Sequence, residues 1–388
     1  MSTLNVDNLK TLSGNGIDAQ IVSIGGGHLS NRNKIINGAM MISQRATSVT
    51  DAGAGYHTVD RMRMSKNSLS TAEMTHEQST DSPNGFSKSV KITTTTAEGS
   101  VAVDDAFRPV QYKFEGQNVQ DLAYGTSDAK TLTLSFHVKS SVTGTYSVAF
   151  RNITAGTYRL RSTTYTIDSA NTWEKKTITI AGDTSTAFID DNSNRLEIYW
   201  CGGSGTDFTS SNVAASGWAD YVSGGLHYGQ TAQLQNTLNS TFLMTGIQLE
   251  VGDTATLFEH RSFGDELARC QRYYQQYVNI SAVGYVPDNN ARSYSHGFFF
   301  PVTMRAAPTI SITNTGSSNG QYISDGDTNR YIASTLSSGS HTTHMSVSFN
   351  LSGDLANFRG AYLFGTTNTT YQTTYKINAC LLYTSPSP

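Results

Sequence analysis

The stretch KTLTLSFHVK, Lys130 to Lys139, decides the fold class. Leu132, Leu134, Phe136 and Val138 alternate with Thr131, Thr133, Ser135 and His137. A period of two over that length directs one set to a core and the other to water. Similar alternation recurs in Val110-Tyr112-Phe114, Tyr146-Val148-Phe150, Ile178-Ile180, Leu196-Ile198-Trp200 and in Leu243, Ile247, Leu249 and Val251. Turn signals separate these runs: Pro83-Asn84-Gly85, Thr143-Gly144 and Asp190-Asp191-Asn192. Short strands with polar turns and no interleaved helices predict an all-β chain built on an antiparallel sandwich. Over residues 34–261 the sandwich is large, and a jelly roll accommodates it best.

Composition supports strands. Charged residues are only 15% of the chain, against roughly 25% in ordinary soluble domains. Ser, Thr, Asn and Gly take their place, and these suit sheet surfaces and turns better than helix faces. Net charge is −3 without a Lys/Arg run, so nucleic-acid binding is not expected. No apolar stretch reaches the roughly 18 residues of a membrane span, and MSTLNVDNLK at the start does not read as a Sec-type signal. The three cysteines, Cys201, Cys270 and Cys380, have neither metal-ligand spacing nor an even count, and are expected to be buried free thiols.

Either side of the sandwich the patterns change. Residues 1–33, with the run Gly25-Gly26-Gly27, read as an extended N-terminal arm or anchor on a flexible hinge. Ser262 to Tyr277, SFGDELARCQRYYQQY, spaces Phe263, Leu267, Cys270, Tyr274 and Tyr277 by four, three, four and three. That stripe predicts a linking helix over 262–277, with Ser262 and Asp265 forming its capping box. It packs on the neighbouring sandwich or, by its heptad spacing, enters a trimeric coil. Residues 278–379 return to strand patterns as a smaller C-terminal β-domain, with Pro301 and Pro308 at turns or edges. Residues 380–388, CLLYTSPSP, match the translation of a transposase sequencing adapter. They are read as a scar of metagenomic read-through.

Enzyme chemistry finds little footing, and catalytic residues are not assigned. Asp104-Asp105 and Asp190-Asp191 are adjacent pairs in turn-like sequence, where both carboxylates usually meet water. Asp190 and Asp191 remain calcium candidates, since loop oxygens suit that ion. Serine-elbow, His-Glu-x-x-His and phosphate-loop motifs are not present, and no cofactor is predicted. β-Helix rungs are not seen either, which argues against a capsule-cutting spike. Aromatics are the better lead. SGWADYVSGGLHYG, Ser216 to Gly229, gathers Trp218, Tyr221 and Tyr228 with His227 in a Gly-rich loop. Such a cluster serves a glycan, a subunit interface or simple packing, because a ring face meets the C–H face of a pyranose as readily as another side chain.

Three stretches carry a resemblance in wording. NKIINGAMMISQRATS (Asn33 to Ser48) with YHTVDRM (Tyr56 to Met62) is one. FRPVQYKFEGQNVQDLAYGTSDAKTLTLSFHVKSSVTGTYSVAFRN (Phe107 to Asn152) is the second, and TGIQLEVGDTATLFEHRSFGDELARCQRYYQ (Thr245 to Gln275) the third. They resemble tail-fibre-like proteins of bacteriophages, including marine and environmental types, over roughly Asn33 to Gln275. The resemblance implies a carbohydrate-binding-module-like jelly roll in a homotrimeric virion appendage, made in the host cytoplasm without a signal peptide. It further implies attachment to other tail proteins through the arm and host-surface glycan or protein as the target, with no membrane insertion. A plain shaft, connector or decoration protein is the alternative. The resemblance supplies no binding residue.

Overall fold

Each alternating strand has one apolar edge to cover, and two sheets cover each other. The computed structural model describes residues 30–278 except 155, and then 282–285, 292–314, 322–324, 329–351, 360–364 and 373–380. Most of the N-terminal arm and residues 381–388 lie outside the described residues. In chain order the strands of the main body are β1 (Ser48–Val49), β2 (Gly55–Tyr56), β3 (Arg63–Asn67), β4 (Glu73–Ser79) and β5 (Ser89–Thr96). They continue as β6 (Ala106–Glu115), β7 (Leu132–Ser140), β8 (Gly144–Thr154), β9 (Thr157–Ile167) and β10 (Glu174–Ile180). Then come β11 (Asn194–Trp200), β12 (Gly203–Ser204), β13 (Ala219–Asp220) and β14 (Thr241–Val251). One sheet has the order β1-β4-β5-β14-β7-β10, and the other β13-β9-β8-β11-β6-β3-β2, with β12 beside β6. The chain crosses between sheets from β6 to β7 to β8 and again from β9 to β10 to β11, the alternation of a jelly roll.

The inner faces carry the predicted residues. Leu132, Leu134, Phe136 and Val138 of β7 meet Tyr146, Val148 and Phe150 of β8 and Leu196, Ile198 and Trp200 of β11 in one core. The Trp200 ring stands edge-on to Phe136, centroids 5.9 Å apart.

The outer faces depart from the simple alternation. Thr133 and Ser135 are buried rather than in water. The segment after β14 folds back across that face: Thr133 Oγ1 donates to the Gly252 carbonyl at 2.8 Å. The Glu250 carboxylate accepts from Thr256 N–H at 2.9 Å and from Thr256 Oγ1 at 2.7 Å. On the other sheet the outer face is also covered and holds a buried ionic group. Lys113 Nζ lies 3.3 Å and Arg151 2.7 Å from the fully buried Glu197 carboxylate, which also accepts from Asn194 at 2.6 Å and from the Tyr199 hydroxyl. Burial works to raise the Glu197 pKa, but Arg151 and Lys113 hold it below the usual carboxylate value.

The linking helix is shorter than its stripe predicts. Helix α1 covers Phe263–Gln271, and Ser262 caps it by accepting from Asp265 N–H at 3.2 Å. Tyr274–Val278 is instead strand β15, which corrects the helical reading of 262–277 at its C-terminal end. The run Tyr-Tyr-Gln-Gln-Tyr favours a sheet once a partner strand exists, and Tyr274 to Val278 pair antiparallel with Asn378 to Thr374. Nine helical residues also leave no length for a coiled coil.

The C-terminal β region is the smaller one. Strands β16 (Ala282–Tyr285), β17 (Arg292–Phe299), β18 (Thr309–Asn314), β19 (Tyr322–Ser324), β20 (Asn329–Ser340), β21 (His344–Leu351), β22 (Gly360–Phe364) and β23 (Thr373–Asn378) follow. Strands β15, β23 and β18 form a three-stranded sheet, and β16-β17-β21-β20-β19-β22 close a barrel. A dense polar joint ties this region to the sandwich. Glu115 accepts from Arg272 at 3.0 and 2.8 Å and from the Tyr273 hydroxyl at 2.5 Å. The Arg61 guanidinium stacks 3.6 Å over the Tyr273 ring. Arg305 donates to the carbonyls of Asn192 at 2.7 Å and Ala379 at 2.9 Å.

Candidate functional site

Position parity along β9 builds the site. Tyr165 and Ile167 face the core between the sheets, and Arg161 and Arg159, at the same parity, take the same side two and three repeats before Tyr165. There the sandwich runs out, since β13 ends one sheet and β10 the other. Two arginines on the core side of a strand therefore look into an opening at the sandwich edge. Thr179 to Ser185, at the end of β10 and in the loop beyond it, form the opposite wall. Ser216, Gly217 and Trp218 close the groove, which encloses about 220 Å³.

Trp218 spans the two sheets. Its indole N–H donates to the Ala181 carbonyl at 2.8 Å, and its ring meets Tyr124 edge-on with centroids 5.7 Å apart. Tyr124 stacks in turn on Phe188 at 4.9 Å. The ring is thus held in one orientation while remaining half-buried, with part of it on the groove. The loop of the facing wall comes close because Gly182 has no side chain: a Cβ there would lie 2.6 Å from the Ala129 carbonyl carbon.

Polar groups surround the ring. Arg159 faces two carboxylates, with NH1 2.7 Å from Asp220 and Nε 3.7 Å from Asp183, and its NH2 donates to the Trp218 carbonyl at 3.0 Å. Asp183 is buried and accepts from Asn152 at 3.1 Å and from Ser185 N–H at 3.0 Å. Arg161 fixes only one end, its NH1 donating to the carbonyls of Ala214 at 2.9 Å and Ala215 at 2.5 Å. Thr184 and Ser185 add exposed hydroxyls.

The structure does not bring the three predicted aromatics together. Tyr221 packs with the apolar cluster of Ala149, Leu160, Tyr199, Ala214 and Leu226 on the outer face, edge-on to Tyr158 at 6.3 Å and 5.6 Å from the Arg151 guanidinium. Trp218 and Tyr221 bracket the two-residue strand β13, and an odd offset along a strand sends side chains to opposite faces. Tyr228 is half-buried in the turn whose N–H reaches the Gly225 carbonyl and does not line the groove. His227 is buried, accepting from Arg108 Nε at 2.9 Å. Burial first and the Arg108 charge second push its pKa well below the usual value.

The calcium candidates do not converge. Asp191 is taken by Arg195, at 3.0 Å to Nε and 2.5 Å to NH2, and by Ser193 N–H at 3.0 Å. Its turn serves the joint described above, where Asn192 Nδ2 donates to the Arg305 carbonyl at 2.7 Å. Among the described residues no group of three or more His, Cys, Asp or Glu stands placed to hold a metal ion. Cys201, Cys270 and Cys380 are free and buried. Cys380, which reads as the first adapter residue, packs with Tyr273 and Tyr274. No helix of the described chain is long and apolar enough to cross a membrane.

The class these features define is an antiparallel β-sandwich of jelly-roll type with an aromatic groove at its edge. No protein-family model matches the chain, and no curated protein matches it. Among solved structures it is similar to the enzymatically active domain of bacteriophage CBA120 tailspike protein 4, at 12% identity and a TM-score of 0.31 over 56% of this chain. The match spans 21% of that tailspike domain. It is also similar to the C-terminal family 22 carbohydrate-binding module of Clostridium thermocellum Xyn10B, at 14% identity and a TM-score of 0.28, covering 53% of this chain and 99% of the module. The family 11 module of Lic26A-Cel5E from Clostridium thermocellum matches at 12% identity and a TM-score of 0.27, covering 54% and 97%.

Proposed function

We propose that this chain is a non-enzymatic, glycan-recognising subunit of a phage tail fibre, and that the Trp218 groove receives the sugar. One observation carries the reading: a tryptophan ring held rigidly by Ala181 and Tyr124 shares a small groove with arginine, carboxylate and hydroxyl groups. That is the pairing a pyranose needs, an apolar face for its C–H groups and fixed polar atoms for its hydroxyls. The volume suits a single sugar unit rather than a drug-sized ligand, for which sites begin at roughly 300 Å³. Asp183 is the one carboxylate among the groove's described lining residues, whereas glycoside hydrolysis ordinarily takes two. The virion role rests on the wording of Asn33 to Gln275. With it come a homotrimer, attachment through the N-terminal arm and a host-surface target.

A purely structural role is the second reading, and the packing of Tyr221 into the outer-face cluster favours it. Glycan-array binding by the full chain separates the two. Binding that falls at least roughly tenfold in Trp218→Ala, the scale of a lost aromatic stacking partner, supports recognition at the groove. Trp218→Phe, which keeps a ring but not the indole N–H, retains most of it. A folded chain that binds no glycan supports the shaft or connector role.

A further inference from the structure

The two arginines of the groove differ in their partners. Arg159 has carboxylates within 4 Å, at Asp220 and Asp183. Arg161, two residues along on the same face of β9, has no carboxylate within that distance among the described residues, and its hydrogen bonds all leave through NH1. Those bonds to the carbonyls of Ser162, Ala214 and Ala215 pin one end of the guanidinium. The Nε–NH2 edge is left without a described partner, on a side chain that lines the groove beside Trp218. That edge is the geometry that binds a planar carboxylate through two parallel N–H···O bonds. Both nearby carboxylates, Asp183 and Asp220, are thus engaged by Arg159, and Arg161 is the groove's cation that no described carboxylate faces. Partial burial pushes the Arg161 pKa down, as expected for a cation with no compensating anion.

Resting on the reading of the Trp218 groove as a sugar site, we propose that it selects an acidic sugar, with Arg161 holding the anionic group while the pyranose ring stacks on Trp218. The chemistry recognised is an anionic oxygen group on a sugar, either a uronate carboxylate or a sulfate ester. The forked edge of Arg161 suits the carboxylate better.

Calorimetry on the full chain tests this with three probes of equal length: a hexuronate oligomer, its carboxyl-reduced neutral counterpart, and a sulfated neutral oligomer. The expected result is at least tenfold tighter binding of the hexuronate than of the neutral oligomer at low salt, an advantage that shrinks as salt rises. Arg161→Gln removes that preference, weakening the hexuronate at least tenfold more than the neutral oligomer, while Arg161→Lys keeps part of it. Unchanged melting temperatures of both variants show that the fold is intact. Tighter binding of the sulfated than of the hexuronate probe, also lost in Arg161→Gln, supports the acidic-sugar class and assigns the sulfate source. Equal affinity for neutral and acidic probes, or a preference that survives Arg161→Gln, overturns the proposal while leaving a sugar site at Trp218 standing. Absence of binding to every probe and to a glycan array overturns both.

Discussion

At the residue scale, the buried titratable groups show how firmly the sandwich is specified. His76 is fully buried, with Nδ1 2.7 Å from the Thr58 hydroxyl. Burial first and the nearby His57 charge second lower its pKa to about 3. A histidine held neutral in the folded state but free to protonate when unfolded stabilises the fold above pH 6.5. That stability is lost as pH falls from 6.5 toward 3, because only the unfolded chain takes up the proton. We expect a loss on the order of 2–4 kcal/mol across that window from this group. Urea denaturation at a series of pH values checks it: His76→Gln flattens the slope between pH 6.5 and 3 relative to the wild type, and an unchanged slope contradicts the assignment. Residue parity also explains the part of the site that was illegible. Trp218 is legible as an aromatic in a loop, whereas Arg159 and Arg161 lie in a strand outside any motif. Their signal was present in YRLRSTTYTI, where charged side chains occupy the positions that become core at Tyr165 and Ile167. Such a mismatch marks either a buried ion pair or an opening, and only the position of β9 near the sheet edge decides between them.

At the scale of elements, the strands were legible and their surroundings were not. Alternation located the inner face of β7 because only a two-sided sheet yields that period. It could not show that Thr133 would be buried too, since its cover comes from the segment after β14. The heptad-like stripe through Tyr277 failed for a related reason: β23, the partner that turns Tyr274–Val278 into a strand, lies about a hundred residues later. The outer face of β6, β8 and β11 depends on one anion. Glu197 faces both Lys113 and Arg151 with no exposure to solvent. Removing one member of such a buried group costs more than the group's net contribution, because the opposite charges stay behind in a poorly solvated place. Glu197→Gln is therefore expected to destabilise the chain by about 3 kcal/mol or more, seen as a lower denaturation midpoint. Replacing Lys113 with Met in the same chain restores part of the loss. A single variant as stable as the wild type shows that the cluster is solvated.

At the scale of the whole molecule, the sandwich and the smaller C-terminal β region meet through Glu115, Arg272, Tyr273, Arg61 and Arg305. None of these side chains announces that role in the sequence, because a joint is made from single residues far apart along the chain. The groove has the same character. Strand β9, the loop after β10 and the segment before β13 each bring one part of it, and Trp218 fastens them. The sequence thus pointed to an aromatic-rich loop, while the fold separated Trp218 from Tyr221 and supplied different polar neighbours. The central claim is that a sugar sits against Trp218 at the sandwich edge. A crystal structure of the full chain soaked with an oligosaccharide that it binds in solution tests that claim most directly. The account predicts a pyranose ring in van der Waals contact with the Trp218 indole, roughly 4 Å away, between Arg161 and the Thr184–Ser185 wall. Density for the sugar at any other place, with this groove holding only solvent, contradicts it.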